Sequence, residues 1–293
     1  MDAVLRALAP RPGQTLVDCT VGLGGHSAAL LERVGPTGRL IGIDFDPANL
    51  AIARAKLEGI GGMARFDLFH NNFAALPTVL AEADVTRVDG VLADLGVSSP
   101  HLDDPTRGFS FKRPGPLDMR MDPTRGQPAS ALVNRMSQHE LESALLELGD
   151  ETDAPQIARL IVERRAEEPI MTTDQLCAIV CEARDFTLKR AAGAKLHPAT
   201  RTFQALRILV NRELANLDRL LAVLPDCLVP GGVAAIISFH SGEDRRVKAA
   251  FRAGREAGVF DDVSPHPLVA DEAEQRTNAR SRSAKLRWAR RAE

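Results

Sequence analysis

Residues 15–27 read TLVDCTVGLGGHS. Thr15–Thr20 is a short apolar run ending in a polar corner, Gly22–Gly25 follows, and a helical pattern continues through Arg33. Glycines at such a corner let the backbone turn sharply and approach a ligand closely. Working outward, Arg39–Asp46 (RLIGIDFD) reads as a second strand, Pro47 suits the first turn of a following helix, Arg65–Asn72 alternates like a third strand, and Val88–Gly96 (VDGVLADLG) is a fourth, buried one. Strands alternating with helices predict a parallel, doubly wound α/β sheet. Asp44 lies twenty-two residues after Gly22 at the end of the second strand. A carboxylate there accepts hydrogen bonds from both ribose hydroxyls of an adenosine-containing cofactor. The dinucleotide fingerprint G-x-G-x-x-G/A has Ser27 in its third position here, so the D-x-T-x-G-x-G-G form suits S-adenosyl-L-methionine better. His26 either touches the methionine carboxylate or decorates the first helical turn.

The pattern changes after residue 98. Residues 98–128 hold six of the eighteen prolines with Gly108, Gly115 and Gly126, which reads as a long irregular loop of the functional or disordered kind. Residues 136–185 read as helices only, with Ser137/Glu140 and Thr172/Gln175 as capping boxes. Residues 201–224 read as one amphipathic helix stopped by Pro225, Gly232–Ser241 as another buried strand, and Lys285–Arg291 as a final strand. The expected organisation is discontinuous: a Rossmann-like domain from residues 1–103 and 201–293, and an inserted loop and helical substrate-recognition domain over 104–200.

The chain has 293 residues, 44% of them hydrophobic, enough for a sizeable core. Its apolar runs are too short to span a bilayer, and no signal peptide is visible. Cys19, Cys177, Cys181 and Cys227 form no C-x-x-C pair. That argues against structural zinc and a disulfide framework and for a reducing, cytoplasmic setting, with no metal and no membrane expected. The formal net charge of −2 argues against a uniformly basic nucleic-acid binder. The charge is segregated, however. Residues 275–293 carry seven basic side chains and one acid, residues 186–212 carry six and none, and residues 107–120 interleave Arg107, Lys112, Arg113 and Arg120 with Phe109 and Phe111. Local phosphate contacts of this kind suit one site on a structured RNA. With no tyrosine and one tryptophan, base stacking falls to Phe, His, Trp288 or Arg.

Several strings support a family resemblance: VDCTVGLGGHS (17–27), GIDFDP (42–47), DLGVSS (94–99), RGFSF (107–111), GPLDMRMD (115–122), HPATRTFQALRILVNREL (197–214), ISFHSGEDRRVK (237–248) and ARSRSAKLR (279–287). Together they make the sequence resemble the bacterial methyltransferases (RsmH/MraW type) that methylate the N4 amine of a cytidine in small-subunit (16S) ribosomal RNA. The resemblance implies a Rossmann-like class I S-adenosylmethionine-dependent methyltransferase with an inserted all-helical domain, acting in the decoding region of the RNA. It implies cofactor contacts at Gly24, Gly25, His26, Asp44, Phe73, Asp94 and His101, where that family usually has Gln at the last position. Gly242 and Ala279 also depart from the usual Leu and Pro. The family's H-x-P-V-L opening does not precede Met1, which points to a start shortened relative to it.

The cytosine amine is a poor nucleophile because its lone pair is delocalised into the ring. An enzyme therefore gains most by aligning it with the methyl group and by accepting its protons. The catalytic candidates are Asp94 first, then Ser238 and His240. Asp94 also reads as a turn residue, and His240 as a structural histidine. The RNA-contact candidates are Arg107, Lys112, Arg113, Arg120, Lys195, His197, Arg201, Arg207, Arg280, Arg282 and Lys285. The expected partner is small-subunit ribosomal RNA inside an assembled small subunit. Two other readings use the same loop: an NAD-type oxidoreductase, and a non-catalytic RNA-binding or assembly protein with a vestigial pocket.

Overall fold

The structure, a computed structural model, describes residues 1–60, 65–194 and 196–293. The chain divides into two compact units, Met1–Gly96 with Leu214–Glu293, and Val97–Glu213. The first unit contains α1 (Asp2–Leu8), β1 (Thr15–Asp18), α2 (Gly25–Val34), β2 (Arg39–Asp44), α3 (Pro47–Glu58), β3 (Arg65–His70), α4 (Leu76–Glu82) and β4 (Val88–Asp94). The second contains α5 (Ser99–Asp103), α6 (Ala129–Arg135), α7 (Gln138–Gly149), α8 (Ala154–Glu167), α9 (Thr173–Ala183), α10 (Leu188–Ala192) and α11 (Thr200–Asn211). The chain then returns through α12 (Glu213–Cys227), β5 (Leu228–Ser238), α13 (Ser241–Glu256), β6 (Phe260–Val263), β7 (Leu268–Val269), α14 (Glu272–Thr277) and β8 (Lys285–Arg291).

The sheet order is β3-β2-β1-β4-β5-β8-β6, with β7 also paired to β8. Strands β1 to β5 are parallel and β8 runs antiparallel to β5. This is the Rossmann-like class I methyltransferase order. The strand order reverses between β1 and β4, which opens a crevice beyond their carboxyl ends.

Side-chain alternation along the strands builds two apolar layers. Leu16, Leu40 and Leu92 face one layer with Val4 and Leu8 of α1, Leu30 and Leu31 of α2 and Leu57 of α3. Their neighbours Val17, Ile41 and Val91 face the other, with Leu76 and Leu80 of α4, Leu217 and Leu224 of α12 and Phe251 of α13. Asp46 starts α3 by accepting the Ala48 N–H at 2.9 Å, with Pro47 in the first turn.

The helical unit has its own core. Leu141 and Leu145 of α7, Ile157 and Ile161 of α8, Leu176 and Val180 of α9 and Phe203 and Leu206 of α11 pack together. Both expected capping boxes are present, at Ser137 and Thr172. The proline-rich segment is irregular yet well anchored. Phe109, Leu117 and Met119 are buried in the helical core. Asn211 accepts the Met121 N–H and donates to the Met119 carbonyl, each at 2.8 Å. The two compact units divide at 96/97 and 213/214, and the sequence reading puts the change at 103/104 and 200/201.

One sequence expectation needs correction. The helix expected over 201–224 is two helices, because Arg212 adopts a left-handed conformation (φ +52°) and ends α11. Pro225 does not stop the second, which continues to Cys227.

Gly115 lies where a Cβ would overlap the carbonyl of Pro105. Gly115→Ala is expected to shift the urea unfolding midpoint downward, by about 1–3 kcal/mol of stability. An unchanged midpoint refutes the anchored loop.

Candidate functional site

The parallel strands β1, β2, β4 and β5 end on Asp18, Asp44, Asp94 and Ser238, with Asp18 opposite Gly42 and Leu92 and Asp94 opposite Ile237. Three carboxylates thus gather at the switch point. Asp44 joins the first loop to the second strand. One of its oxygens accepts the Gly22 N–H at 2.6 Å, and the other accepts the Asp46 N–H at 2.8 Å and the Asn49 amide at 3.2 Å. Asp44 thereby ties the glycine loop to the start of α3.

Gly24 precedes α2 in a left-handed conformation (φ +72°), and a Cβ there would stand 3.3 Å from Ala53. No side chain caps α2, and the space above Gly25 is open. The first N–H groups of that helix therefore face the crevice with their partial positive charge. Phe73 begins a single 3₁₀ turn fixed by Asn72, and its ring packs on the core beneath α4.

Asp94 Oδ2 stands 3.5 Å from His26 Nδ1. Asp94 Oδ1 is buried and accepts no hydrogen bond from the described residues. Burial, followed by the negative charge of Asp18, pushes the Asp94 pKa up to about 7. Burial also lowers His26 to about 4. Both shifts favour the uncharged forms, so the contact is not a fixed ion pair. An orphaned carboxylate oxygen beside an open helix N-terminus fits an adenosine cofactor that carries a cationic sulfonium and a carboxylate.

Sequence reasoning passed over Asp18 and Thr20. Asp18 is fully buried, with one oxygen accepting the Ser27 hydroxyl at 2.6 Å and the other the Thr20 N–H at 3.1 Å. Burial raises its pKa. Thr20 Oγ1 accepts the Asp94 N–H at 2.6 Å, tying the first loop to the tip of β4. The D-x-T spacing in residues 18–20 was the available signal.

The other candidates have structural partners. Ser238 is buried, with its hydroxyl directed to the Lys285 carbonyl at 3.4 Å. His240 caps α13, and Glu243 Oε2 accepts the N–H groups of Phe239 and His240. In the helical unit, His101 is buried against Phe109 with ring centroids 4.9 Å apart, and its Nδ1 accepts the Ser98 N–H. Arg107 donates to the Arg120 and Met121 carbonyls, Arg120 forms a two-pronged pair with Asp118, and Arg207 does so with Glu213. Arg201 donates to the Asp150 carbonyl, Arg113 to that of Asp103, and His197 stacks on Phe111. Lys285 pairs with Asp244, whereas Lys112, Arg280 and Arg282 are exposed. Lys195 lies outside the described residues.

The family model described as the MraW methylase family matches residues 1–292. A ribosomal RNA small subunit methyltransferase H from Nitratidesulfovibrio vulgaris is 47% identical over 308 residues, covering 99% of this chain and 84% of that protein. The protein of the same name from Halorhodospira halophila is 48% identical, covering 99% and 92%.

Gly24→Ala is expected to abolish detectable S-adenosylmethionine binding in a calorimetric titration, because both the strained φ and the Ala53 contact oppose the methyl group. Asp94→Asn is expected to raise the melting temperature at pH 8 and to leave it unchanged below pH 4. The raised folded-state pKa means that ionising Asp94 costs native stability as pH climbs from about 4 to about 7. An equal shift at both pH values refutes that assignment.

Proposed function

Because the chain belongs to the MraW methylase family, it is an S-adenosylmethionine-dependent methyltransferase of ribosomal RNA, and we propose that Asp94 is the acceptor that activates the N4 amine of a 16S cytidine in the decoding region. The observation that carries this is the orphaned, buried Asp94 Oδ1 at the tip of β4. The methylase family and the similarly named relatives leave the oxidoreductase and vestigial-pocket readings without support.

The bound cofactor supplies an activated methyl group on a sulfonium. This chain's residues do the remaining work. Gly24, Gly25 and His26 frame the end that receives the cofactor's carboxylate, Asp44 takes the ribose, and Phe73 lines the adenine side. His101 is assigned a contact from its position in the family string. Asp94 accepts a proton of the exocyclic amine by hydrogen bonding, which returns lone-pair density to the nitrogen and balances its developing positive charge. After transfer the methylated amine loses one proton, and a carboxyl poised near neutrality is suited to take it. Ser238 and His240 are positioning residues that hold the tip of β5.

We assign substrate recognition to the inserted unit, with an assembled small subunit as substrate and the cytoplasm as the place of action. Among the described residues no helix is long and apolar enough to cross a membrane. Exposed Lys112, Arg280 and Arg282 supply phosphate contacts, with Lys195 and Lys285 assigned alongside them, whereas the ring of His197 is taken up by Phe111 and the Ala199 N–H. Arg107, Arg113, Arg120, Arg201 and Arg207 act through their internal partners, by holding backbone carbonyls and carboxylates of the helical unit.

Asp94→Ala is expected to lower methyl transfer to small subunits by about 10²–10⁴-fold. Near-normal turnover by the folded variant overturns the proposal. In the wild type, turnover at saturating cofactor is expected to fall as pH drops below the Asp94 pKa, and Asp94→Asn removes that limb. Lys112→Ala and Arg282→Ala are expected to raise KM for the subunit and flatten its salt dependence while leaving cofactor affinity unchanged.

A further inference from the structure

The helical unit contains a cluster that the methyl-transfer chemistry does not use. Cys177 and Cys181 stand one turn apart on the same face of α9. The fold brings His197 to them, and the two sulfurs and a ring nitrogen of His197 all lie within 4.8 Å of one another. The spacing of the cysteines alone conveys nothing of this, because the third group arrives from the segment before α11.

Several contacts hold the histidine in place. Its ring stacks on Phe111 with centroids 4.3 Å apart, and Phe111 meets Phe203 edge-on at 5.0 Å. Arg184, at the end of α9, donates to the Pro198 carbonyl at 3.0 Å and pairs with Asp153 at 2.8 Å. The segment carrying His197 is therefore fastened to the helix that carries the cysteines. Preorganised ligands lose little entropy when a metal binds.

We propose that Cys177, Cys181 and His197 form a binding site for a thiophilic d¹⁰ cation, with Zn²⁺ as the ion taken. Two thiolates and a neutral imidazole are the donor set such ions prefer, and three such donors leave one coordination position open. Without metal the site is neutral. Burial pushes the Cys177 thiol up to about 12 and raises Cys181, while burial lowers His197. Binding releases one proton from each thiol, so two Zn–S bonds form as two S–H bonds break. The imidazole contributes a lone pair and keeps its single proton. In the free protein, His197 Nδ1 accepts the Ala199 N–H at 3.2 Å. Whichever ring nitrogen binds, Nδ1 then carries either the metal or the proton, so the Ala199 N–H loses its acceptor. The ion would clamp α9 to the start of α11.

The test uses the full chain, stripped with a chelator and then titrated with Zn²⁺ or Co²⁺. One ion per chain is expected to survive desalting. Calorimetry in buffers of different ionisation enthalpy is expected to show two protons released per ion. Co²⁺ is expected to give thiolate-to-metal charge-transfer absorption, and Zn²⁺ to raise the melting temperature. Faster exchange of the Ala199 amide on metal binding identifies the histidine. Cys177→Ala with Cys181→Ala should bind none, whereas Cys19→Ala with Cys227→Ala should bind as the wild type does. Should the double variant fail to fold, the wild-type titration decides alone. Metal lost on desalting, no charge-transfer band, or equal binding by both double variants overturns the site.

Discussion

Asp18 ends β1 with its carboxylate sealed from solvent, and one oxygen holds the Ser27 hydroxyl while the other holds the Thr20 N–H. Through Thr20 the same anchor reaches the Asp94 backbone, and through Ser27 it fixes the first turn of α2. The loop shape, the helix start and the tip of β4 are thus set by one buried acid. A buried acid has to be hydrogen-bonded, and this one has spent its bonds on the elements that form the crevice.

That arrangement concentrates negative charge where little water screens it. Asp18 and Asp94 each resist ionisation because burial disfavours their charged forms, and the negative charge of Asp18 makes ionisation of Asp94 harder still. The discomfort is relieved by a cation. A sulfonium ligand stabilises the ionised carboxyls it faces, so the crevice is complementary to a positive charge before any ligand arrives. Neutral His26 fits the same logic, because a protonated imidazole would compete for that place.

The fold was largely legible because its signals are local. The strands at 15–18, 39–44 and 88–94 alternate apolar residues between two faces, and the glycine corner announces the first strand-to-helix turn. Asp44 and Asp94 were legible because they end strands. Other features depend on distant partners. The break at Arg212 leaves no proline or glycine as a marker. Asp18 looks like any polar residue at a strand end until Ser27 and Thr20 close on it. The basic residues show the same limit: charge runs mark a surface, yet Arg107, Arg120 and Arg207 spend their guanidinium groups on internal carbonyls and carboxylates.

The position of the insertion also orders events during synthesis. β4 pairs with β5, but β5 follows the whole of residues 97–213, and β8 comes last of all. On the ribosome, the sheet waits with β4 as a temporary open edge while the helical unit emerges. The helical unit has a core of its own, so it can fold before β5 arrives. Strand β5 then covers the exposed edge, and β8 pairs with β5 afterwards. The corner that carries Asp94 is consequently among the final parts of the chain to form, because the tip of β4 gains its neighbour only after the helical unit has been made.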